Sequence, residues 1–180
     1  MKCLKCPKEA AIPYPNGNLC QECFIEMLVS RIKKEIRSEQ PFNKNEKVLI
    51  FGRLTEAMFH KVIENLPLDV TRAISDYNPS NGYPEYDKVV IPWTADDEAA
   101  LFYKELTKSD PDFEKIGQSK GIVKLFKSIL DKELKQAAKI LDIVFIPNAK
   151  DQDLEKINKK YPSSNFGLVK SAAEFKKALQ

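Results

Sequence analysis

The stretch Lys47-Val48-Leu49-Ile50-Phe51-Gly52-Arg53-Leu54-Thr55-Glu56-Ala57-Met58-Phe59-His60-Lys61-Val62-Ile63 decides the fold. Val48, Leu49, Ile50 and Phe51 form an unbroken apolar run, the pattern of a strand buried on both faces. Gly52 ends it. Beyond it Ala57, Met58, Phe59, Val62 and Ile63 recur at helical spacing, and Thr55 is placed to cap a helix that reaches Asn65. A buried strand, one glycine and an amphipathic helix are the first half of a parallel βαβ unit.

Reading downstream, a second strand is expected over 68–74 and a third at Lys88-Val89-Val90-Ile91. Between them, 75–87 carries Asn78-Pro79-Ser80-Asn81-Gly82-Tyr83-Pro84 and reads as a loop. Thr94-Ala95-Asp96-Asp97 has capping-box spacing and opens a helix through Ala99, Ala100, Phe102, Tyr103 and Leu106. Asp96 and Asp97 then sit at the positive end of that helix, which accounts for both; a magnesium or substrate contact is the alternative. Ser109-Asp110-Pro111-Asp112 breaks the chain. The apolar spacing over 121–141 predicts a long amphipathic segment, two helices meeting near Asp131. Asp142-Ile143-Val144-Phe145-Ile146-Pro147 reads as a fourth strand, 152–160 as a charged helix, and Phe166-Gly167-Leu168-Val169 as a fifth strand. Ser171 caps a final helix through Ala178. Strands alternating with helices predict an α/β fold with a doubly wound, mostly parallel sheet, and right-handed crossovers would place helices on both faces. Ligands of such sheets bind beyond the carboxyl ends of the strands.

Upstream lie all four cysteines of the chain, Cys3, Cys6, Cys20 and Cys23, spaced C-x2-C-x13-C-x2-C. Paired C-x-x-C turns converge four thiolates on one ion, and a closed four-sulfur shell suits a structural zinc. Four thiolates also hold iron–sulfur clusters. Two disulfides would fit the count but belong to oxidising compartments, and Met1-Lys2-Cys3-Leu4-Lys5-Cys6 lacks the apolar core of an export signal. A cytoplasmic protein is therefore expected. Directly after Cys23, Ile25, Leu28, Ile32 and Ile36 share one helical face, while Arg31, Lys33, Lys34 and Arg37 decorate the remainder as a solvated face or an RNA contact. The expected organisation is a zinc ribbon over 1–24, a connecting basic helix over 25–40, and an α/β domain over 45–180.

Composition narrows the function classes. The chain has 180 residues, 43% of them hydrophobic, which excludes disorder throughout. No apolar run approaches the ~18 residues of a membrane span. Basic residues number 29 against 26 acidic, a balance that permits nucleic-acid contact without arguing for it. His60 is the one histidine; it lies mid-helix beside Phe59 and Val62 and reads as structural or surface rather than as a base. A phosphate cradle needs several glycines and a row of N–H donors. Phe51-Gly52-Arg53-Leu54-Thr55-Glu56 has one glycine, Leu54 and Glu56 would crowd or repel a pyrophosphate, and Arg53 alone would attract one.

Taken together, Leu19-Cys20-Gln21-Glu22-Cys23-Phe24, the basic helix and Asn45-Glu46-Lys47-Val48-Leu49-Ile50 resemble the tRNA 2-thiolation adenylyltransferases of the PP-loop superfamily. Pro92-Trp93-Thr94-Ala95-Asp96-Asp97-Glu98-Ala99-Ala100 is similar to their Gly-His-Asn-Ala-Asp-Asp-x-Ala-Glu segment, and Asp131-Lys132-Glu133-Leu134 with Ala137-Ala138 to their Glu-Lys-Glu-Ile helix. Active members carry Ser-Gly-Gly-x-Asp-Ser where this chain has Phe51 to Glu56. The resemblance therefore implies the degenerate, non-catalytic subunit of the cytoplasmic tRNA 2-thiolation complex, in a short archaeal version. It implies pairing with a catalytic PP-loop thiolase, help in holding tRNA for wobble-uridine 2-thiolation, and sulfur reaching the partner from a ubiquitin-like carrier. The catalytic cysteines of active thiolases lie beyond the ribbon, and no cysteine follows Cys23 here. A divergent adenylating enzyme using Arg53, Asp96 and Asp97, and a stand-alone zinc-ribbon RNA-binding module, are the alternatives.

Overall fold

The computed structural model describes residues 1–110, 121–149, 152–161 and 164–178. An antiparallel hairpin, β1 (Ile12–Tyr14) and β2 (Gly17–Leu19), leads into helix α1 (Gln21–Glu39). Four parallel strands follow: β3 (Lys47–Ile50), β4 (Asp69–Arg72), β5 (Lys88–Thr94) and β6 (Ile122–Phe126), in the spatial order β4-β3-β5-β6. Helix α2 (Arg53–Val62) follows β3, α3 (Ala95–Leu106) follows β5, and α4 (Asp131–Ile140) follows β6. Helices α5 (Gln152–Lys160) and α6 (Ser164–Ala178) come last.

From β3 the chain moves outward to β4, then crosses back to β5 and on to β6. The direction of winding thus reverses between β3 and β5. Their carboxyl ends, Phe51-Gly52 and Trp93-Thr94, flank the crevice where such sheets bind ligands. The register Ile50↔Val90 lets β5 overshoot β3 and carry Thr94 past the end of that strand, where it still pairs with Phe126 of β6.

The two faces of the sheet are covered differently. Val48, Ile50, Val90, Val123 and Leu125 pack against α1, α2 and α4 through Leu28, Ile32, Met58, Phe59 and Leu134 in one cluster. That cluster also holds Cys3, Ile12, Leu19, Cys20 and Cys23, so hairpin and sheet share one core. On the other face Leu49, Phe51, Val89 and Ile91 meet Tyr77, Tyr83, Tyr86 and Trp93. Among the described residues this face is met by Trp93 of β5, by aromatics of the loop between β4 and β5, and by α3, whose Glu98 pairs with Lys124. Helices α3 and α6 pair around Phe102 and Ala172.

The apolar stripe of α1 behaves as its spacing predicts, with Ile25, Leu28 and Ile32 buried and Ile36 half-buried. Full burial of such side chains is worth roughly 1.5–3 kcal/mol each. The parallel α/β sheet and the capping box of α3 also stand, the latter with Thr94 accepting from the Asp97 backbone N–H.

Four expectations are corrected. Thr55 does not cap α2; Gly52 occupies the N-cap with φ 87°, a left-handed backbone suited to glycine, and Thr55 is buried one turn inside. Gly121 to Leu130 contains β6 rather than a helix; apolar residues at 122, 123, 125 and 126 satisfy both periods, and neighbouring β5 selects the strand. Asp142 to Pro147 forms no strand: Asp142 lies in a turn at φ 54°, Ile143 and Phe145 pack against the core, and Val144 and Ile146 are 86% and 82% exposed. Phe166 to Val169 belongs to α6, which begins at Ser164 rather than Ser171, because α3 offers an apolar groove and not a strand edge. The expected break at Ser109 is a bend through Asp110; its residues 111 and 112 lie outside the described residues.

Candidate functional site

Two places gather chemistry-bearing side chains. The first is the cysteine knuckle. Cys3 and Cys6 lie on an N-terminal turn held by Cys3 N–H to Lys8 carbonyl (2.9 Å) and Leu4 N–H to Asn18 carbonyl (3.0 Å). Gly17 adopts φ 144°, a backbone that side chains rarely take, and a Cβ there would lie 2.9 Å from the movable Leu4 side chain. Cys20 is the N-cap of α1, its Sγ accepting from the Cys23 backbone N–H at 3.5 Å. All four sulfurs lie within 4.8 Å of one another, Cys6 and Cys20 at 3.6 Å.

The electrostatics prepare these thiols as ligands. Burial raises the Cys3 thiol, but the Lys5 and Cys20 backbone N–H groups aimed at its sulfur outweigh that and lower it to about 6. Burial holds the Cys23 thiol well above the ordinary range, and the adjoining Cys20, Cys6 and Cys3 thiols push it the same way. Such crowding of thiols is relieved when a cation is shared among them. A zinc–sulfur bond of ~2.3 Å gives a tetrahedral edge of about 3.8 Å, which this set matches with small adjustment. A four-iron cluster separates its thiolates further, because the cluster stands between them. The residues fit a single tetrahedral ion.

The second place is the carboxyl edge of β3 and β5. The N-terminus of α2 has no side-chain cap. Leu54, 3% exposed, points into the core, and Glu56 accepts from Arg72 at 2.8 Å. Neither obstructs an anion in the way the sequence suggested: Leu54 is turned away and Glu56 is neutralised by a guanidinium from β4. Thr55 Oγ1 is buried with no hydrogen-bond partner, and Arg53 is exposed at the helix start.

Across the crevice, Asp97 is buried at the start of α3 and accepts from Thr94 N–H (2.8 Å) and from Asn148 Nδ2 (3.0 Å). Asp96 is half-buried and bridges elements, accepting from Asp131 N–H (2.6 Å) and from Asn165. Thr94 Oγ1 donates to Asp131 Oδ1 at 2.7 Å. Both acids thus stabilise helix N-termini, and Asp96 also borders a cavity shared with Asp131.

Sequence reasoning missed a buried charge pair beside this edge. Lys124 Nζ meets Glu98 Oε2 at 2.6 Å; the Trp93 indole N–H donates to the same oxygen at 2.7 Å, and the ammonium lies 4.7 Å from the Trp93 ring centre. A lysine between Val123 and Leu125 was the available signal, since a buried strand admits a charge only when it is paired.

The four basic residues of α1 do not act as one surface. Arg31 binds Glu133 (2.5 Å) and the Ser128 carbonyl, so it clamps α1 to α4. Lys33 pairs with Glu64 at 3.0 Å. Lys34 and Arg37 are exposed, and Lys33 and Arg37 border a cleft of about 250 Å³ beside Val62 to Leu66. His60 is exposed in the last turn of α2, edge-on to Phe59.

No family model and no curated protein matches the chain. Among solved structures, the U34-tRNA thiolase NcsA from Methanococcus maripaludis, with its [4Fe-4S] cluster, is similar at TM-score 0.64 and 14% identity, over 97% of this chain and 87% of that one. The likeness shows that this chain shares the fold of that thiolase. It also overturns the expectation of a non-enzymatic subunit: the fold shared over nearly the whole chain is that of an enzyme, and Leu54 and Glu56 do not bar phosphate as that expectation required. Among the described residues, no helix is long and apolar enough to cross a membrane.

Proposed function

We propose that this chain acts in thiolation of a tRNA uridine as a divergent enzyme of the adenylating type, with the phosphates of ATP received at the open N-terminus of α2. The observation that carries the reading is that uncapped terminus, set at the winding reversal of the sheet behind Gly52 and flanked by exposed Arg53 and buried, unpartnered Thr55 Oγ1. Free N–H donors, a positive dipole end and a guanidinium together suit an anion. The likeness to a tRNA thiolase supports the substrate class.

In this reading the C2 oxygen of the uridine attacks the α-phosphorus of ATP and pyrophosphate leaves. Sulfur then attacks C2 and AMP departs. No cysteine follows Cys23, and the four present converge on one point, so the sulfur comes from outside the chain: free sulfide, or a partner subunit fed by a thiocarboxylate carrier. The knuckle holds one structural zinc ion, and Lys34 and Arg37 with the cleft below them offer contacts to the tRNA backbone.

The test is thiolation of bulk tRNA by the purified chain with magnesium, ATP and sulfide, thiolated tRNA being resolved on a mercury-containing gel. Retarded tRNA is expected, with formation falling roughly tenfold or more in Arg53→Ala, which removes a charge-assisted phosphate contact. Failure to form AMP from ATP in the presence of tRNA, with and without a co-purified partner, would refute the reading. Elemental analysis should return one zinc per chain; four irons with visible absorbance would refute the zinc assignment.

A further inference from the structure

Strand β4 stands at one side of the sheet, bonded to β3 alone. The ladder shows which of its groups face outward. Asp69 N–H donates to the Glu46 carbonyl at 3.0 Å, and Ala73 N–H to the Ile50 carbonyl at 2.9 Å. Peptide groups alternate along a strand, so Asp69, Thr71 and Ala73 turn theirs toward β3, while Val70 and Arg72 turn theirs away from the sheet. Those outward groups make no hydrogen bond among the described residues. An edge of this kind is a template for another strand, and proteins often blunt it with projecting charges. Here the cation, Arg72, is already held by Glu56 of α2 at 2.8 Å.

The side chains along this edge match a second copy laid antiparallel. Thr71, exposed and neutral, is the centre. On one side of it stands Leu68, half-buried; equally far on the other stands Ile74, wholly exposed at 105%. A two-fold axis through Thr71 sets Ile74 of each copy on Leu68 of the other. It sets Val70 of each copy opposite Arg72 of the other, so that their outward N–H and C=O groups bond in exchange. Thr71 meets Thr71, a pairing that suits adjacent strands. The charges agree. Asp69 and Arg72 give the strand an acidic and a basic end, and antiparallel addition lays each end beside the opposite one. Parallel addition would align like with like. An axis through Arg72 would bring two guanidinium groups face to face, and one through Val70 would move Ile74 away from Leu68.

We propose that β4 is the interface of a homodimer, in which a second copy adds its own β4 antiparallel about Thr71 and the two four-stranded sheets join into one. The contact is a strand edge with a few flanking side chains, less than the ~1,200 Å² at which stable interfaces begin, so association depends on concentration. Antiparallel strands point their carboxyl ends in opposite directions, so the two crevices open at opposite ends of the joined sheet and neither obstructs the other. The inference goes beyond the tRNA reading and does not rest on it.

The experiment is sedimentation equilibrium of the full chain, with zinc supplied, from micromolar to millimolar concentration. The average mass should climb from one chain toward two. Thr71→Lys changes an exposed side chain and sets like charges opposite each other, so it should raise the midpoint about tenfold or more. A covalent trap reads the register directly. Facing residues that do not exchange hydrogen bonds have Cα atoms about 4.5 Å apart, within the span of a disulfide. Thr71→Cys, treated with copper(II)–phenanthroline as oxidant, should therefore give a dimer that thiol reagents cleave. Asp69→Cys, which faces Ala73 instead of itself, should give no more dimer than the unaltered chain under the same treatment. A single-chain mass at every concentration, measured on the unaltered chain, overturns a second copy as the occupant of this edge, a strand from another protein included as its replacement. A dimer that Thr71→Lys does not weaken, or that Thr71→Cys does not trap, lies on another face and overturns the proposal equally.

Discussion

Lys124 and Glu98, 7% and 6% exposed, sit beside the crevice in a position where each depends on the other. Two buried charges stabilise little beyond the cost of removing them from water, yet stripping one partner strands the other. Lys124→Met should therefore lower stability by about 3–5 kcal/mol, read from urea unfolding. Adding Glu98→Gln should recover most of it, because the Trp93 indole still has an oxygen to donate to. Equal instability of single and double variants would show that the pair is not the source. The role of Asp97 was legible in sequence because a capping box is local, set by a spacing of three residues. The Lys124–Glu98 contact was not, since it joins positions 26 apart that only the pairing of β5 with β6 brings together.

Among the elements, α1 illustrates how far periodicity reaches. Ile32 is fully buried against the sheet, whereas Ile36 is only half-buried at the edge of the same stripe. Ile32→Ala should cost about 2–5 kcal/mol and Ile36→Ala clearly less, measured by thermal unfolding. Comparable losses would mean that the stripe is buried more evenly than described. Strand β3 and helices α1, α3 and α4 were readable because each carries one unambiguous period or cap. The segments that were misread are short apolar runs. Four residues such as Phe166 to Val169 satisfy a strand and a helix equally, and the tertiary neighbour decides. Asp142 to Pro147 shows the complementary failure: its apolar run reads as a strand, but pairing depends on a free sheet edge within reach, which propensity does not encode.

At the scale of the whole molecule, the cysteine hairpin is continuous with the core of the sheet, since Cys3, Cys20 and Cys23 share a cluster with Val48 and Leu125. A ligand bound only by the folded state stabilises everything that unfolds with its site. Chelation should therefore lower the melting temperature of the entire chain in one cooperative step, followed by far-ultraviolet circular dichroism. A separate early transition, with the remainder melting as before, would show the ribbon to be an independent unit. The α/β class and its parallel sheet were visible in the alternation of elements, while the aromatic covering of one face was not, because Tyr77, Tyr83 and Tyr86 lie in a stretch whose composition announces only a loop. One further consequence follows from Cys20 standing at the N-cap of α1 with Cys23 in its first turn. With the proposed zinc in place, four thiolates would carry two more negative charges than the divalent ion cancels, and the nineteen aligned peptide dipoles of α1 would point their positive pole at that excess. The longest helix among the described residues would thus serve as a counter-charge for that site, and shortening or kinking it would loosen the ion without touching a single ligand.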